Sequence, residues 1–191
     1  MEPITSIEHT NTLQSDILPE LPLRVSTIPD YKEYERFVRN IVSQVRRTYE
    51  YQMWVKYVKD TLGHNICALS GEVSKDVTIE IHHHPLTLFD ICESVVNTHT
   101  IRGKQYCSAD ITVEVLECHY KNIIGYIPLC TTLHEKYHNN ALNISINLVH
   151  GNWKTFLATY DIPTHIMTKV NKLENIKVTT NFSNWNEAQI Q

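Results

Sequence analysis

The chain has 191 residues, of which 42% are hydrophobic and 20% charged, so it can bury a core of its own. Glycine and proline are scarce, at 5 and 7, which excludes a fibrous repeat or a low-complexity chain. A formal charge of −4 excludes a protein that coats nucleic acid through net positive charge alone, though a local basic face remains open to it.

Residues 1–29 are polar, hold four of the prolines and show no sustained period, which predicts an N-terminal arm. Their start has neither a basic stretch nor an apolar stretch, so no signal peptide is expected. Asp30 can cap a long helix over residues 30–62, with Gly63 as its stop. Tyr34, Phe37, Val38, Ile41 and Val45 give that helix its apolar spacing. Seven Lys or Arg stand against three Glu between residues 32 and 59. A solvated face explains such an excess, and so does a phosphate-tracking surface in which Arg39, Arg46 and Arg47 touch nucleic acid.

VTIEIHHHP, residues 77–85, alternates Val77, Ile79 and Ile81 with Thr78 and Glu80, the pattern of a half-buried strand that Pro85 ends. LTLFDICESVVNTH and SADITVEVLECHYKN read as two helices joined around Gly103. GYIPLC is a short extended entry into a helix over TTLHEKYH, with Asn139-Asn140 as its stop. NISINLV reads as a strand, followed by a turn at 150–152 and a helix from Lys154 to Tyr160. One more helix and a terminal strand, IKVTTNF, are expected beyond it. The organisation is a helix-rich α+β single domain, with a unit over residues 63–150 and an extension over 151–191.

Two histidine clusters stand out among the eleven histidines. His134 and His138 are four apart, which places them on one helix face one turn apart, where two imidazoles can hold one ion. His82-His83-His84 at the strand end supplies a third ligand. Strict alternation puts His82 and His84 on one face and His83 on the other, so the ligand is either His82 or His84. His99, His119 and His165 have no partner at ligand spacing and read as surface or satisfied core residues. Trp54, Trp153 and Trp185 read as packing anchors. Cys67, Cys92, Cys107, Cys118 and Cys130 form no C-x-x-C pair, and an odd count suits reduced thiols in a cytoplasmic compartment. No apolar run reaches membrane-spanning length.

EIHHHP followed by LCTTLHEKYHNN resembles the HNH endonuclease motif, in which two strands and a helix cradle one metal ion (the ββα-metal fold). The wider run with HYKNIIGYIPL resembles small phage-encoded proteins of HNH type. The resemblance implies His82, His134 and His138 as metal ligands, His83 as general base and Asn122 as the group that orients it. It further implies one divalent ion (Mg, Mn, Ni or Zn) and hydrolysis of phosphodiester bonds, with double-stranded DNA as partner and the host cytoplasm as location. Three departures stand against the pattern. The span from His84 to Asn122 is long and must hold two extra helices. Asn122 lies seven residues before Leu129. Leu133 stands where zinc-stapled relatives have a second cysteine after Cys130.

Two other readings compete. The first is a non-catalytic phage structural or regulatory protein on a degenerate scaffold of the same kind. The second is a zinc protease, because His134-Glu135-Lys136-Tyr137-His138 matches H-E-x-x-H with Glu135 as base. That second reading finds no third ligand beyond His150 or Glu174 and leaves the triple histidine unused.

Overall fold

The computed structural model describes residues 30–73, 75–139 and 141–175. The expected arm over 1–29, the IKVTTNF strand and Trp185 lie outside the described residues.

Helix α1 spans Tyr31–Arg47, and the Asp30 carboxylate accepts the Lys32 backbone N–H at 3.2 Å to cap it. Val38, Ile41 and Val45 recur at helical spacing and are fully buried. The single helix expected over residues 30–62 is interrupted. Thr48 adopts an extended backbone, and its hydroxyl accepts the Tyr51 N–H, so α1 ends there and α2 (Tyr49–Lys56) begins. A β-branched hydroxyl residue competes poorly inside a helix but well as a cap, which is the physical reason for the break. Helix α2 widens into a π-helical turn over Tyr57–Thr61, and Gly63 at φ +73° closes the segment.

Strand β1 covers Ile79–His83 and pairs antiparallel with β2, Tyr126–Cys130. In this register His82 lies opposite Ile127 and His83 opposite Tyr126. Between the strands run α3 (Leu88–Ile101) and α4 (Ser108–Tyr120). A capping box starts α3: Thr87 accepts the Asp90 N–H at 3.1 Å, and Asp90 accepts the Thr87 N–H at 2.7 Å. Helix α5, Thr131–His138, leaves directly from β2 and packs on both strands. The chain then forms α6 (Trp153–Thr159) and α7 (Thr164–Asn175).

NISINLV is not a strand. Only a single 3-10 turn forms over Ile146–Leu148, and the Ser145 hydroxyl accepts the Asn147 N–H there. Alternating Ile and Leu suits a strand only where a neighbour offers an edge, and Tyr126 instead bridges to His150.

Two cores result. The larger joins α1, α3 and α4 through Ile41, Ile91, Val95, Ile111 and Val115, with Trp54 and Tyr126 reaching in from α2 and β2. Gln44 fixes α1 against α4, donating to the Ser108 hydroxyl at 3.2 Å and accepting from Thr112 at 3.0 Å. The smaller core lies against the sheet and α5 and contains Cys67, Ile79, Ile127, Leu129 and Leu133. Gly125 is needed where the chain enters β2, because its carbonyl accepts the His84 N–H and a Cβ there would sit 2.1 Å from the His84 carbonyl oxygen. No helix among the described residues is long and apolar enough to cross a membrane.

Candidate metal centre

Alternation along β1 sends His82 toward α5 and His83 toward α2 and α4. On the first face His82 meets the α5 pair. Its ring centroid lies 4.8 Å from that of His134 and 5.1 Å from that of His138. One ligand-capable atom from each of the three lies within 4.8 Å of the others. Nitrogens bound at ~2 Å to one tetrahedral ion are roughly 3.3 Å apart, so small side-chain rotations close the set.

The hydrogen bonds show which nitrogens face inward. Nδ1 of His134 meets the Glu80 carboxylate at 2.5 Å, so Nδ1 carries the proton and Nε2 the lone pair. That Nε2 lies 3.0 Å from Nε2 of His138. Nε2 of His82 is buried and has no hydrogen-bond partner. A buried polar atom without a partner costs free energy, and a cation between the three rings would satisfy it. The residues therefore fit one divalent ion, with Glu80 holding a ligand in its tautomer as carboxylates do around metal-bound histidines. Burial, followed by the neighbouring His134 and His138, lowers the His82 pKa to about 3. The ring is thus neutral and competent to ligate at neutral pH.

His84 is also buried with an Nε2 that has no hydrogen-bond partner, but its Nδ1 pairs with the Tyr137 hydroxyl at 3.2 Å and it lies outside the cluster. Of the two candidates left open by alternation, His82 is the one in the cluster.

On the other face His83 is enclosed. Trp54 and Tyr51 lie nearly parallel to its ring at 6.1 and 6.2 Å, and its Nε2 is 3.0 Å from Nε2 of His119. His119 donates from Nδ1 to the Val115 carbonyl at 2.7 Å, so its Nε2 is the acceptor. His83 must then donate from Nε2, which leaves its lone pair on Nδ1. Burial, followed by His119 and His82, holds its pKa well below the usual imidazole range.

His82, His83, His134 and His138 line one cleft of about 330 Å³, together with Glu80 and Arg46. Four consecutive strand residues, 80–83, contribute to it, so it runs along the edge of β1 and takes side chains from both faces. The positive charge of Arg46 is felt at both His83 and His134.

Asn122 is placed elsewhere. It sits at φ 54° after α4, its carbonyl accepts the Asn152 N–H at 2.8 Å, and its side-chain oxygen lies against Gly151. The group on His83 Nε2 is His119, which the sequence placed among surface or satisfied core residues. Glu80 was equally hidden, since an acid two positions before His82 reads as the solvent side of a strand. The available signal was their shared face at spacing two. Arg39, Arg46 and Arg47 border a groove that adjoins this cleft. Glu135 is exposed and lies outside the cleft lining. The two further protease candidates are engaged elsewhere, His150 stacked on His64 at 3.9 Å and Glu174 paired with Lys154 at 3.4 Å.

No curated protein and no solved structure matches the chain. The model of the bacteriophage G278-like virion proteins matches residues 6–191, nearly its whole length, and the chain belongs to that family.

Proposed function

We propose that this phage protein is a metal-dependent phosphodiesterase of HNH (ββα-metal) type that cleaves nucleic acid. The observation that carries the reading is the meeting of the unpartnered His82 Nε2 with the His134–His138 pair, on a strand–strand–helix unit whose next strand residue, His83, is held by His119 through Nε2. Three imidazole ligands suit Zn, Ni or Mn better than Mg, which prefers oxygen ligands. When bound, the ion would supply Lewis-acid stabilisation of the phosphate and the leaving oxygen.

The chain's own residues have the remaining roles. Nδ1 of His83 takes the proton of a water whose oxygen attacks phosphorus, and the P–O bond opposite breaks. His119 holds His83 in the tautomer that leaves Nδ1 unprotonated. Arg46, on the cleft wall, meets the non-bridging phosphate oxygens.

A second reading, a metal-held virion component without turnover, is favoured by the family's virion description and by the placement of Asn122 away from His83. Plasmid nicking in the presence of Mg²⁺, Mn²⁺, Ni²⁺ or Zn²⁺ separates the two. Cleavage lost in both His83→Ala and His138→Ala supports hydrolysis. Tight metal binding by the native chain without cleavage under any of the four ions decides for the second reading.

A further inference from the structure

The metal cleft shares walls with two further hollows, and Thr87 lines all three. Arg46, Thr87 and Leu88 line both it and a groove of about 500 Å³ bordered by Arg39, Arg47 and Phe89. On the other side, Thr87 and His138 line both it and a hollow of about 480 Å³ bordered by His165, Lys169 and Lys172 of α7. The carboxylate among all these lining residues is Glu80, and it is engaged by His134. Five Lys or Arg thus face a continuous path in a chain whose formal charge is −4.

Individual contacts tell which cations are most available. Arg46, Arg47 and Lys172 are exposed. Arg39 lies over the Phe89 ring at 5.4 Å and pairs with Glu35, while Lys169 holds Asp90 at 2.6 Å. Tyr51 in the cleft, Phe89 on one side and Tyr137 on the other put an aromatic ring in every hollow. Cations spread along an extended groove, with an aromatic side chain in each hollow, match a polymer of phosphates, and an isolated phosphate would need only one of the three hollows.

We propose that the three hollows form one track for a nucleic-acid strand. Arg39, Arg46 and Arg47 of α1 grip it on one side of the histidine cluster, and Lys169 and Lys172 of α7 grip it on the other. The substrate class rests on the phosphodiesterase reading above, while α7 as the second half of the surface rests on the shared walls alone.

The test is binding of the full chain to a fluorescent oligonucleotide in EDTA, titrated with salt. Lys172→Gln is the clean α7 variant, because Lys169→Gln also breaks the Asp90 pair. Arg47→Gln reports on α1, and Lys104→Gln, exposed in the α3–α4 loop, is the off-track control. Lys172→Gln and Arg47→Gln should each weaken binding several-fold at low salt. Each should also flatten the log–log salt slope by about 0.7–0.9, the value of one lost phosphate contact. Lys104→Gln should match the native chain. The proposal is overturned if Lys172→Gln keeps native affinity and slope, if Lys104→Gln loses as much as the track variants, or if the native chain does not bind at low salt. The two ideas fail separately. Track-dependent binding without cleavage under any metal removes the hydrolase and keeps the track. Metal-dependent cleavage by a chain whose Lys172→Gln form binds normally does the reverse.

Discussion

The two faces of β1 carry the same residue type into different surroundings. His82 is buried with an unpartnered nitrogen beside two other imidazoles, on the side that opens to solvent through His138. His83, one residue on, lies beside the rings of Tyr51 and Trp54, and its Nε2 pairs with His119. Burial is the leading cause of the lowered pKa at both. What differs is whether the desolvated ring finds a hydrogen bond or is left needing a cation. One face fixes its histidine through a hydrogen bond, and the other leaves a histidine nitrogen without one.

The sharpest way to break this comparison is to remove the packing on the His83 side. Trp54 is 3% exposed and meets His119 edge-on at 4.6 Å. Trp54→Ala is expected to lower stability by about 3–5 kcal/mol, read as a shifted urea midpoint in EDTA. A loss near that of an exposed substitution would deny that this face is structural.

Acid comes next. Burial lowers the pKa of His119 to about 4 and that of His84 to about 4, against an unfolded value of 6.5. Below pH 6.5 the unfolded chain binds protons that the folded chain refuses, so stability is full above 6.5 and falls as pH drops toward 4. Each shift of this size is worth roughly 3 kcal/mol. Urea midpoints of the metal-free protein between pH 7 and 4.5 should therefore decline, and a flat profile would contradict the buried neutral rings.

On the opposite face, Zn²⁺ at a hundredfold over its dissociation constant should stabilise the native chain by about 2.7 kcal/mol. His82→Phe should remove that gain while leaving the metal-free midpoint close to native, because the ring shape is kept and the deleted nitrogen has no partner to lose. The smallest effect is reserved for Glu80→Gln. It keeps the shape but weakens the acceptor on His134, and calorimetry should show about 10–100-fold weaker metal binding with little change in fold.

Much of the architecture was legible because it follows local periods. Alternation over 77–81 and the His134–His138 spacing located the strand and the helix that meet at the cluster. The departures share a cause in tertiary context. Thr48 sits inside an amphipathic pattern, and only its choice to cap rather than continue breaks the helix. Alternating residues over 143–149 had no edge to join. His119 is 36 positions from His83 in sequence, and only the packing of α4 against α1 and α2 brings it there. Asn122 was implied by the resemblance alone, against its spacing from Leu129, and its left-handed turn commits it to the Gly151 corner.

Residues 84–125 separate the two strands and hold both α3 and α4. His134 and His138 are neighbours as soon as one helical turn forms, whereas His82 arrives only when that long loop has closed. The helical pair therefore depends on local structure alone, and the third imidazole on long-range strand pairing. The three-histidine cluster is thus a product of tertiary closure, present only where β1 and β2 have paired.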